Sequence, residues 1–525
     1  MAHCGLITVI VAVWLTSTQV VKSAEDLSYI AAVYEHKVLL NPDPAVAVER
    51  TAALQHMNKN LEVFEEQAAS AAQQGAQIIV FPEDAIHGFN YTRVSIAGYL
   101  ETVPDPGTVV WSPCADPDRF SNTEVLHRLS CIAHKNHLFL VANMPDRQPC
   151  DKSNDPFCPA DGQYQFNTDV VFSDNGTIVA RYHKQNLYFE AAYDTPPKCE
   201  YVFFTTPFAG RFGVFTCFDI LFKDPAVTLV KDMGIRQLVY PTAWMNQLPL
   251  LAAVQFQRSF SYSTGATLLA ANIRSAALGM TGSGIFTPWD AVYHHDMEGE
   301  TGKLLVHKLP VLDPSLLGDA EERNRLRLVP FSGHSGVEIE NPWSVKEFQK
   351  NSDREYCLKE DSSCDSPDRP TPFTSTMMYD TFTLVPLDGR QGNITVCDGS
   401  FCCHLLFHRS NPNEELYALG AFNGLHVVHG TYHLEVCALV RCTRLDSTSC
   451  GEETEQAQTL VDFHLHGTFS TQHVYAGVLG SGMTLERPDQ SGWENGGKFY
   501  MSRKGMSRGL VTAVLYGRVY EKDSI

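Results

Sequence analysis

Continuous apolar runs alternate with amphipathic segments over the first three hundred residues of the chain. Residues 28–36 have the pattern of a strand, and residues 43–74 carry apolar positions at helical spacing. The apolar runs at 76–81 and 137–144 are typical of strands buried on both faces, and the amphipathic segment 122–136 predicts a helix between them. Helices that alternate with doubly buried strands predict a layered α/β domain.

The same alternation continues to about residue 312 and includes one hairpin. Asn175-Gly176 predicts a tight turn between two apolar runs, so the sheet is expected to be mixed rather than wholly parallel. Residues 213–218 predict a strand, and Asp224-Pro225 predicts the start of a helix with proline at its first position. Two further strands are predicted over 236–244 and 266–273.

The composition changes after residue 312. Residues 313–375 are rich in Asp, Ser, Pro and Arg, which indicates a linker with loops, and short runs with strand patterning recur over residues 376–525. Eight of the 15 cysteines of the chain lie in these two segments. This density predicts a β-rich second domain that is stapled by disulfides.

The N-terminal residues predict the compartment. Residues 5–15 form an apolar run that is too short to cross a bilayer, so residues 1–23 are interpreted as a signal peptide. No later apolar run reaches about 18 residues, and the last residues are polar, so neither a membrane span nor a lipid anchor is expected. We therefore expect a secreted chain, with glycosylation sequons at Asn90, Asn175 and Asn393. The net charge of −20 disfavours nucleic acid and anionic membranes as partners.

Three polar residues, Glu83, Lys184 and Cys217, follow or end predicted elements of the α/β domain. Reacting groups gather at strand ends in such sheets. A thiol with an ordinary pKa of about 8.5 needs a base to become a thiolate, which the carboxylate of Glu83 supplies. The ammonium of Lys184 and the backbone N–H of Phe218 are suited to stabilising an oxyanion. The three residues together predict nucleophilic attack on a carbonyl or nitrile carbon.

Each of these residues taken alone has a commoner interpretation. Glu83 and Lys184 would be surface residues, and Cys217 would be half of a disulfide, since 14 cysteines remain after Cys4 is removed with the signal peptide. Two other groups of residues give weaker evidence for a functional site. His294-His295-Asp296 fits no standard zinc spacing and is interpreted as a solvated loop. His183 either orients the lysine that follows it or is a structural histidine.

Several segments resemble a known family. FPED (81–84), YHKQNLYFE (182–190) and FTCFDILFKDPA (215–226) resemble the signature segments of the nitrilase superfamily in its Glu-Lys-Cys order. YPTAWMNQLPLLAA (240–253) and GMTGSGI (279–285) are similar to its biotinidase and vanin (pantetheinase) branch. The segments around Cys217 and NQLPLLAA look nearer to the biotinidases than to the vanins. The resemblance covers essentially the whole mature chain.

The resemblance implies a general base at Glu83, an oxyanion-stabilising acid at Lys184 and an acyl-accepting nucleophile at Cys217, without a metal or other cofactor. It also implies a nitrilase-type α-β-β-α sandwich in residues 24–312. Glu190 is the candidate for the additional glutamate that many members use. Cys199 is expected to be an extra free thiol, in which case the remaining twelve cysteines would form up to six disulfides.

The function that the resemblance implies is hydrolysis of a linear amide by a secreted glycoprotein. The expected substrates are biocytin and biotinyl-lysine peptides, from which biotin is released through a thioester on Cys217, and the same thioester allows biotinyl transfer to amines. One alternative is pantetheine hydrolysis, which is the same chemistry on another amide. A second alternative is a biotin-carrying glycoprotein without turnover. A zinc hydrolase is disfavoured.

Overall fold

The structure is a computed structural model, and it describes residues 27–299, 301–313, 371–410 and 415–523. The predicted signal peptide, residues 1–23, lies outside the described residues, as do residues 314–370 of the predicted linker. The strand that begins at Phe373 starts inside the predicted linker. None of the described helices has both the length and the hydrophobicity that a membrane crossing requires. Residues 27–313 are called the N-terminal part below, and residues 371–523 the C-terminal part.

The described α-helices are α1 (Arg50–Gln73), α2 (Glu124–Asn136), α3 (Thr228–Lys231) and α4 (Ala253–Thr264). The strands of the N-terminal part are β1 (Ser28–Glu35), β2 (Ile78–Val80), β3 (Phe139–Pro149), β4 (Gln163–Phe172), β5 (Ile178–His183), β6 (Phe203–Thr206), β7 (Gly210–Val214), β8 (Gln237–Thr242), β9 (Thr267–Asn272), β10 (Ser283–Phe286), β11 (Ala291–His294) and β12 (Lys303–Pro310). The strands of the C-terminal part are β13 (Phe373–Met377), β14 (Asp380–Pro386), β15 (Gln391–Asp398), β16 (Phe401–Ser410), β17 (Leu416–His426), β18 (Tyr432–Cys442), β19 (Leu460–Thr468), β20 (Val474–Gly480), β21 (Thr484–Glu486), β22 (Gln490–Glu494), β23 (Lys498–Arg503) and β24 (Leu510–Arg518).

These strands form four sheets. Sheet A has the order β12-β1-β2-β3-β4-β5, and sheet B has the order β11-β10-β9-β8-β7-β6. Sheet C has the order β13-β14-β17-β18-β24-β20-β21, and sheet D has the order β15-β16-β19-β23-β22. The inner strands of sheets A and B pair in parallel, whereas β3-β4 and β4-β5 pair antiparallel. The predicted mixed sheet is therefore confirmed.

The sheets and helices stack in layers. Helices α1 and α2 cover the outer face of sheet A, and the inner face of sheet A packs on sheet B, with Phe139 and Phe204 stacked across the interface. Helix α4 follows on the other side of sheet B and packs against sheet C, where Phe260 stacks on Tyr475. A separate apolar core lies between sheets C and D. The predicted α-β-β-α sandwich with a β-rich second region is therefore confirmed.

Two local predictions are wrong, and one helix has no prediction. Helix α1 begins at Arg50 rather than at 43, because the preceding segment forms a turn whose Pro44 carbonyl accepts a hydrogen bond from Ser95. Asp224-Pro225 does not open a regular α-helix, since α3 is a single turn from Thr228 to Lys231. Helix α4 was not predicted at all. Nine of its twelve residues are buried between sheets B and C and five of these nine are polar, so polar and buried positions do not separate along its sequence as they do in a surface helix.

The described cysteines form five disulfides, and two thiols are free. Cys217 and Cys199 are the free ones, as expected. The pairs are Cys114–Cys131, Cys150–Cys158, Cys397–Cys402, Cys403–Cys437 and Cys442–Cys450. Three of these lie in the C-terminal part, and Cys403–Cys437 joins a strand of sheet D to a strand of sheet C. The C-terminal part is therefore stapled, as predicted. Cys357 and Cys364 lie outside the described residues.

Candidate active site

The three sequence-predicted residues lie just beyond the ends of strands in the two facing sheets. Glu83 follows β2 and Lys184 follows β5, both in sheet A. Cys217 follows β7 in sheet B and begins a short 3₁₀ turn, Cys217–Leu221. All three side chains are buried. Lys184 and Cys217 follow Glu83 by 101 and 134 positions in the sequence. The packing of sheet A on sheet B thus brings three distant residues together.

The backbone at Cys217 is held in an uncommon conformation. Its φ is +46°, in the left-handed region that side chains rarely adopt. The Tyr240 hydroxyl donates a hydrogen bond to the Cys217 carbonyl at 2.8 Å. On the N-terminal side, the Thr216 N–H donates to the Asp219 carboxylate at 3.0 Å, which closes the turn. These contacts fix the thiol at a sharp strand-to-helix bend, where it faces a pocket.

Lys184 bridges two carboxylates. Its Nζ lies 2.7 Å from Oε1 of Glu83 and also donates to Oε1 of Glu190. The amide of Asn167 donates to both carboxylates at 2.8 Å, and the Ala243 N–H donates to Oε2 of Glu83 at 2.9 Å. Every acceptor of this buried cluster therefore faces a donor, which is what a buried charged group requires.

The pKa values in the cluster follow from burial and from these charges. Burial raises the pKa of Cys217 well above its ordinary value; the charge of Glu83 adds to this rise, and Lys184 opposes it. Burial lowers the pKa of Lys184, but the carboxylates of Glu190 and Glu83 outweigh burial, so it is raised well above its ordinary value. Burial raises the pKa of Glu190, against the ammonium of Lys184. The site at rest therefore holds an ammonium and a neutral thiol.

The thiol opens into a pocket that both parts of the chain line. The N-terminal part supplies mainly apolar side chains, with the Gln247 amide among them. The residues from the C-terminal part are Met378, Tyr379, His426, Val428, His429 and Tyr432. A mostly apolar pocket with a few polar groups and a reactive side chain is the ordinary form of a small-molecule site.

A buried arginine fastens the C-terminal part to the turn that carries Cys217. Nε of Arg518 donates to the carbonyl of Leu221, the last residue of that turn, at 2.8 Å. Its guanidinium lies 4.6 Å from the ring centroid of Tyr432 and pairs with Asp523 at 2.6 Å. The position of the turn therefore depends on residues nearly 300 positions further along the chain.

Other residues singled out from the sequence lie away from this cluster. Asn90, Asn175 and Asn393 are exposed. His295 contacts Glu455, and His294 and Asp296 contact Arg274, so this segment takes part in ion pairs rather than forming a solvated loop. Cys199 is half-buried.

His183 lies immediately before Lys184 and is held from both sides. Its Nδ1 contacts Glu200 and its Nε2 contacts Asp146, each at 3.0 Å. Burial opposes its charge, but the two carboxylates outweigh burial and raise its pKa. The sequence left open whether this histidine orients the lysine. The ion pairs fix the backbone that leads directly into Lys184, which is consistent with an orienting role.

Sequence reasoning missed two groups of residues. Asn167 lies in the middle of β4, where a polar side chain inside a buried strand was a usable signal. The C-terminal residues of the pocket gave no such signal, because nothing in their local pattern distinguishes them from loop residues.

Comparison with known proteins assigns both parts of the chain to known domain families. Residues 46–278 match the model of the carbon–nitrogen hydrolase family, and residues 371–523 match the vanin C-terminal domain. The chain is 22% identical to an amidase from Nesterenkonia sp., with a TM-score of 0.37 over 57% of this chain and 96% of the amidase. The family match thus covers the part of the chain that contains Glu83, Lys184 and Cys217.

Relatives that match along most of this chain indicate which branch of the family it belongs to. The chain is 53% identical to a biotinidase of Takifugu rubripes, over 95% of this chain and 96% of the relative. It is 44% identical to a pantetheinase of Canis lupus familiaris, over 96% of this chain and 91% of the relative. The chain therefore belongs to the biotinidase and pantetheinase (vanin) family of the nitrilase superfamily.

Proposed function

We propose that this protein is a secreted amidohydrolase that releases biotin from biocytin and from biotinyl-lysine peptides. The observation that carries the proposal is the free, buried thiol of Cys217, which opens into the pocket beside the Glu83–Lys184 pair. The higher identity to a biotinidase than to a pantetheinase, 53% against 44%, favours the biotinyl group as the acyl half. The exposed sequons Asn90, Asn175 and Asn393 suit a glycosylated, extracellular chain.

The first half of the reaction forms a thioester. Glu83 takes the thiol proton as Sγ of Cys217 attacks the amide carbonyl carbon, because the neutral thiol is a weak nucleophile. The Lys184 ammonium and the Phe218 N–H stabilise the oxyanion. Glu83 then gives its proton to the leaving nitrogen, the C–N bond breaks, and the amine departs.

The second half regenerates the enzyme. Glu83 takes a proton from water as the water oxygen attacks the thioester carbon. The C–S bond then breaks, Glu83 returns the proton to Sγ of Cys217, and the acid is released. Glu190 keeps Lys184 charged and in place throughout, so we assign it a positioning role. The proposed steps need no metal and no other cofactor.

The decisive experiment compares kcat/KM for biocytin with kcat/KM for pantetheine in the same preparation. Mass spectrometry of the protein trapped with a biotinyl ester then identifies the residue that carries the acyl group. We expect biocytin to be much the better substrate and the biotinyl group to be bonded to Cys217. Pantetheine as the better substrate would favour the pantetheinase function, which the 44% relative supports. Biotin binding without turnover in the native protein, with the binding unchanged in Cys217→Ser, would instead identify a carrier.

A further inference from the structure

Four neighbouring ring side chains, called the collar below, include three that line the pocket, Tyr188, Tyr379 and His429. Tyr188 and Phe189 come from the N-terminal part, and Tyr379 and His429 come from the C-terminal part. The ring centroid of His429 lies 4.3 Å from that of Phe189, 5.0 Å from that of Tyr379 and 5.4 Å from that of Tyr188. Tyr188 in turn lies 5.1 Å from Phe218, the neighbour of the proposed nucleophile. The rings therefore lead from solvent to the reacting thiol.

The backbone of the collar adopts a conformation that bulky residues rarely take. φ is +54° at Phe189, +70° at Tyr379 and +62° at His429. Met378 and Cys217 at the same pocket also have positive φ, so five of the ten such non-glycine residues in the described parts of the chain are here. Left-handed backbone at bulky residues is unfavourable and clusters at ligand sites. Met378 and Tyr379 form the two-residue turn of the β13–β14 hairpin, where positive φ is usual, so Phe189 is the collar position at which this backbone conformation is unexpected.

The collar also presents surface that a ligand would cover. The exposed fraction is 69% for Phe189 and 54% for Tyr379, next to a mostly apolar pocket. Nδ1 of His429 is buried and has no hydrogen-bond partner among the described residues. Burial lowers the pKa of His429, so its ring is neutral at neutral pH. Exposed rings and a buried nitrogen without a partner both indicate that a molecule binds here.

The order of events in the proposed reaction decides which half of the substrate meets the collar. After the first step the acyl group is bonded to Cys217 inside the pocket, while the amine must leave through the mouth. We propose that the collar is the binding subsite for the amine half of the amide, in particular for an amine on a long aliphatic chain, such as a lysine side chain within a peptide. This inference rests on the proposed function.

The same subsite would hold an incoming amine. The nitrogen of that amine attacks the thioester carbon, the C–N bond forms, and the C–S bond of Cys217 breaks. Glu83 takes one proton from the nitrogen and returns it to the departing sulfur, so that a new amide and a free thiol result. The step needs no other reactant. The collar would therefore raise transfer to a lysine amine relative to transfer to a small amine that does not reach it.

Partition of the acyl-enzyme tests this inference. The acyl-enzyme is formed from the p-nitrophenyl ester of biotin, whose leaving group is not an amine. Water, hydroxylamine and Nα-acetyl-lysine amide then compete for the acyl group, and the fraction transferred to each is measured. In Phe189→Ala and Tyr379→Ala we expect the ratio of lysine transfer to hydroxylamine transfer to fall about tenfold, which corresponds to about 1.4 kcal/mol. The rate of deacylation by water should fall less than the rate of transfer to the lysine amine, because the acyl-enzyme no longer holds the amine.

Two further variants separate binding from folding. Tyr379→Asn removes the ring but suits the left-handed backbone, so it should lower the transfer ratio without lowering the thermal midpoint. Phe157→Ala removes an exposed ring elsewhere, 76% exposed, and should change nothing.

The outcomes distinguish the inference from the function on which it rests. An unchanged transfer ratio in the collar variants would overturn the inference, and so would an equal fall in water, hydroxylamine and lysine rates. Absence of any acyl-enzyme from biotinyl and pantothenyl esters in the native protein would overturn the proposed function, and the inference with it.

Discussion

Charged side chains lie buried together at the strand ends of sheets A and B, whereas the interface between sheets C and D is an apolar core that the Cys403–Cys437 disulfide crosses. The N-terminal part surrounds Lys184 with two carboxylates and an amide, so a few atoms there carry the chemistry. The C-terminal part contributes rings to the pocket and Arg518 to the turn that holds Cys217. The reacting groups and most of the ring side chains that shape the pocket therefore come from different parts of the chain, and the two parts meet at this pocket.

The largest expected effect is loss of the nucleophile. Cys217→Ala should lower kcat for amide hydrolysis by about 10⁵-fold or more, since no other described group at the pocket can form the thioester. The folded structure should persist, because a buried thiol is replaced by a small apolar side chain. Rates measured together with circular dichroism check both points. Residual activity within about tenfold of the native protein would contradict the assignment of reactivity to this residue.

The next effect separates the two carboxylates. Glu83→Gln keeps most hydrogen bonds but cannot take a proton, so kcat should fall about 10³-fold, or about 4 kcal/mol. Glu190→Gln should lower kcat only about tenfold, because Glu83 still pairs with Lys184. Matched steady-state assays provide the measurement. Equal losses in the two variants would mean that Glu190 also moves a proton.

Disulfide removal tests whether staples matter more in the C-terminal part. Cys403–Cys437 closes a loop of 34 residues and Cys150–Cys158 a loop of 8. Chain entropy predicts a loss of about 3.8 kcal/mol for the first and about 2.5 kcal/mol for the second on replacement by alanine pairs. Denaturant unfolding gives the two values. A larger loss of unfolding free energy on removal of Cys150–Cys158 would contradict the expectation that the C-terminal disulfide stabilises the protein more.

Arg518→Met tests the connection between the parts. Asp523 would keep its charge without its partner and the Leu221 carbonyl would lose a donor, so we expect the free energy of unfolding to fall by about 3 kcal/mol. Because the turn at Cys217 would also loosen, kcat should fall at temperatures where the variant is still folded. A stable variant with native kcat would show that the turn is held by the N-terminal part alone.

Part of the site could be predicted because the sequence next to each of these residues marks it. Glu83, Lys184 and Cys217 each stand next to a strand that its own apolar residues mark, and their segments resemble a known family. Asn167 belongs to the same cluster, yet its role depends on two carboxylates that reach it from other segments. No local pattern encodes that contact, since hydrogen bonds between distant segments form only when the sheets pack.

The alternation of helices and strands, the mixed sheet, the disulfides of the C-terminal part and the residue types needed for attack on a carbonyl can be read from local patterns, because periodicity and turn residues act over short distances. The burial of α4 between sheets B and C instead follows from how the sheets pack. The collar likewise depends on contacts between residues from both parts of the chain, such as Phe189 and His429. Burial and left-handed backbone at such positions follow from long-range packing, which overrides local preference.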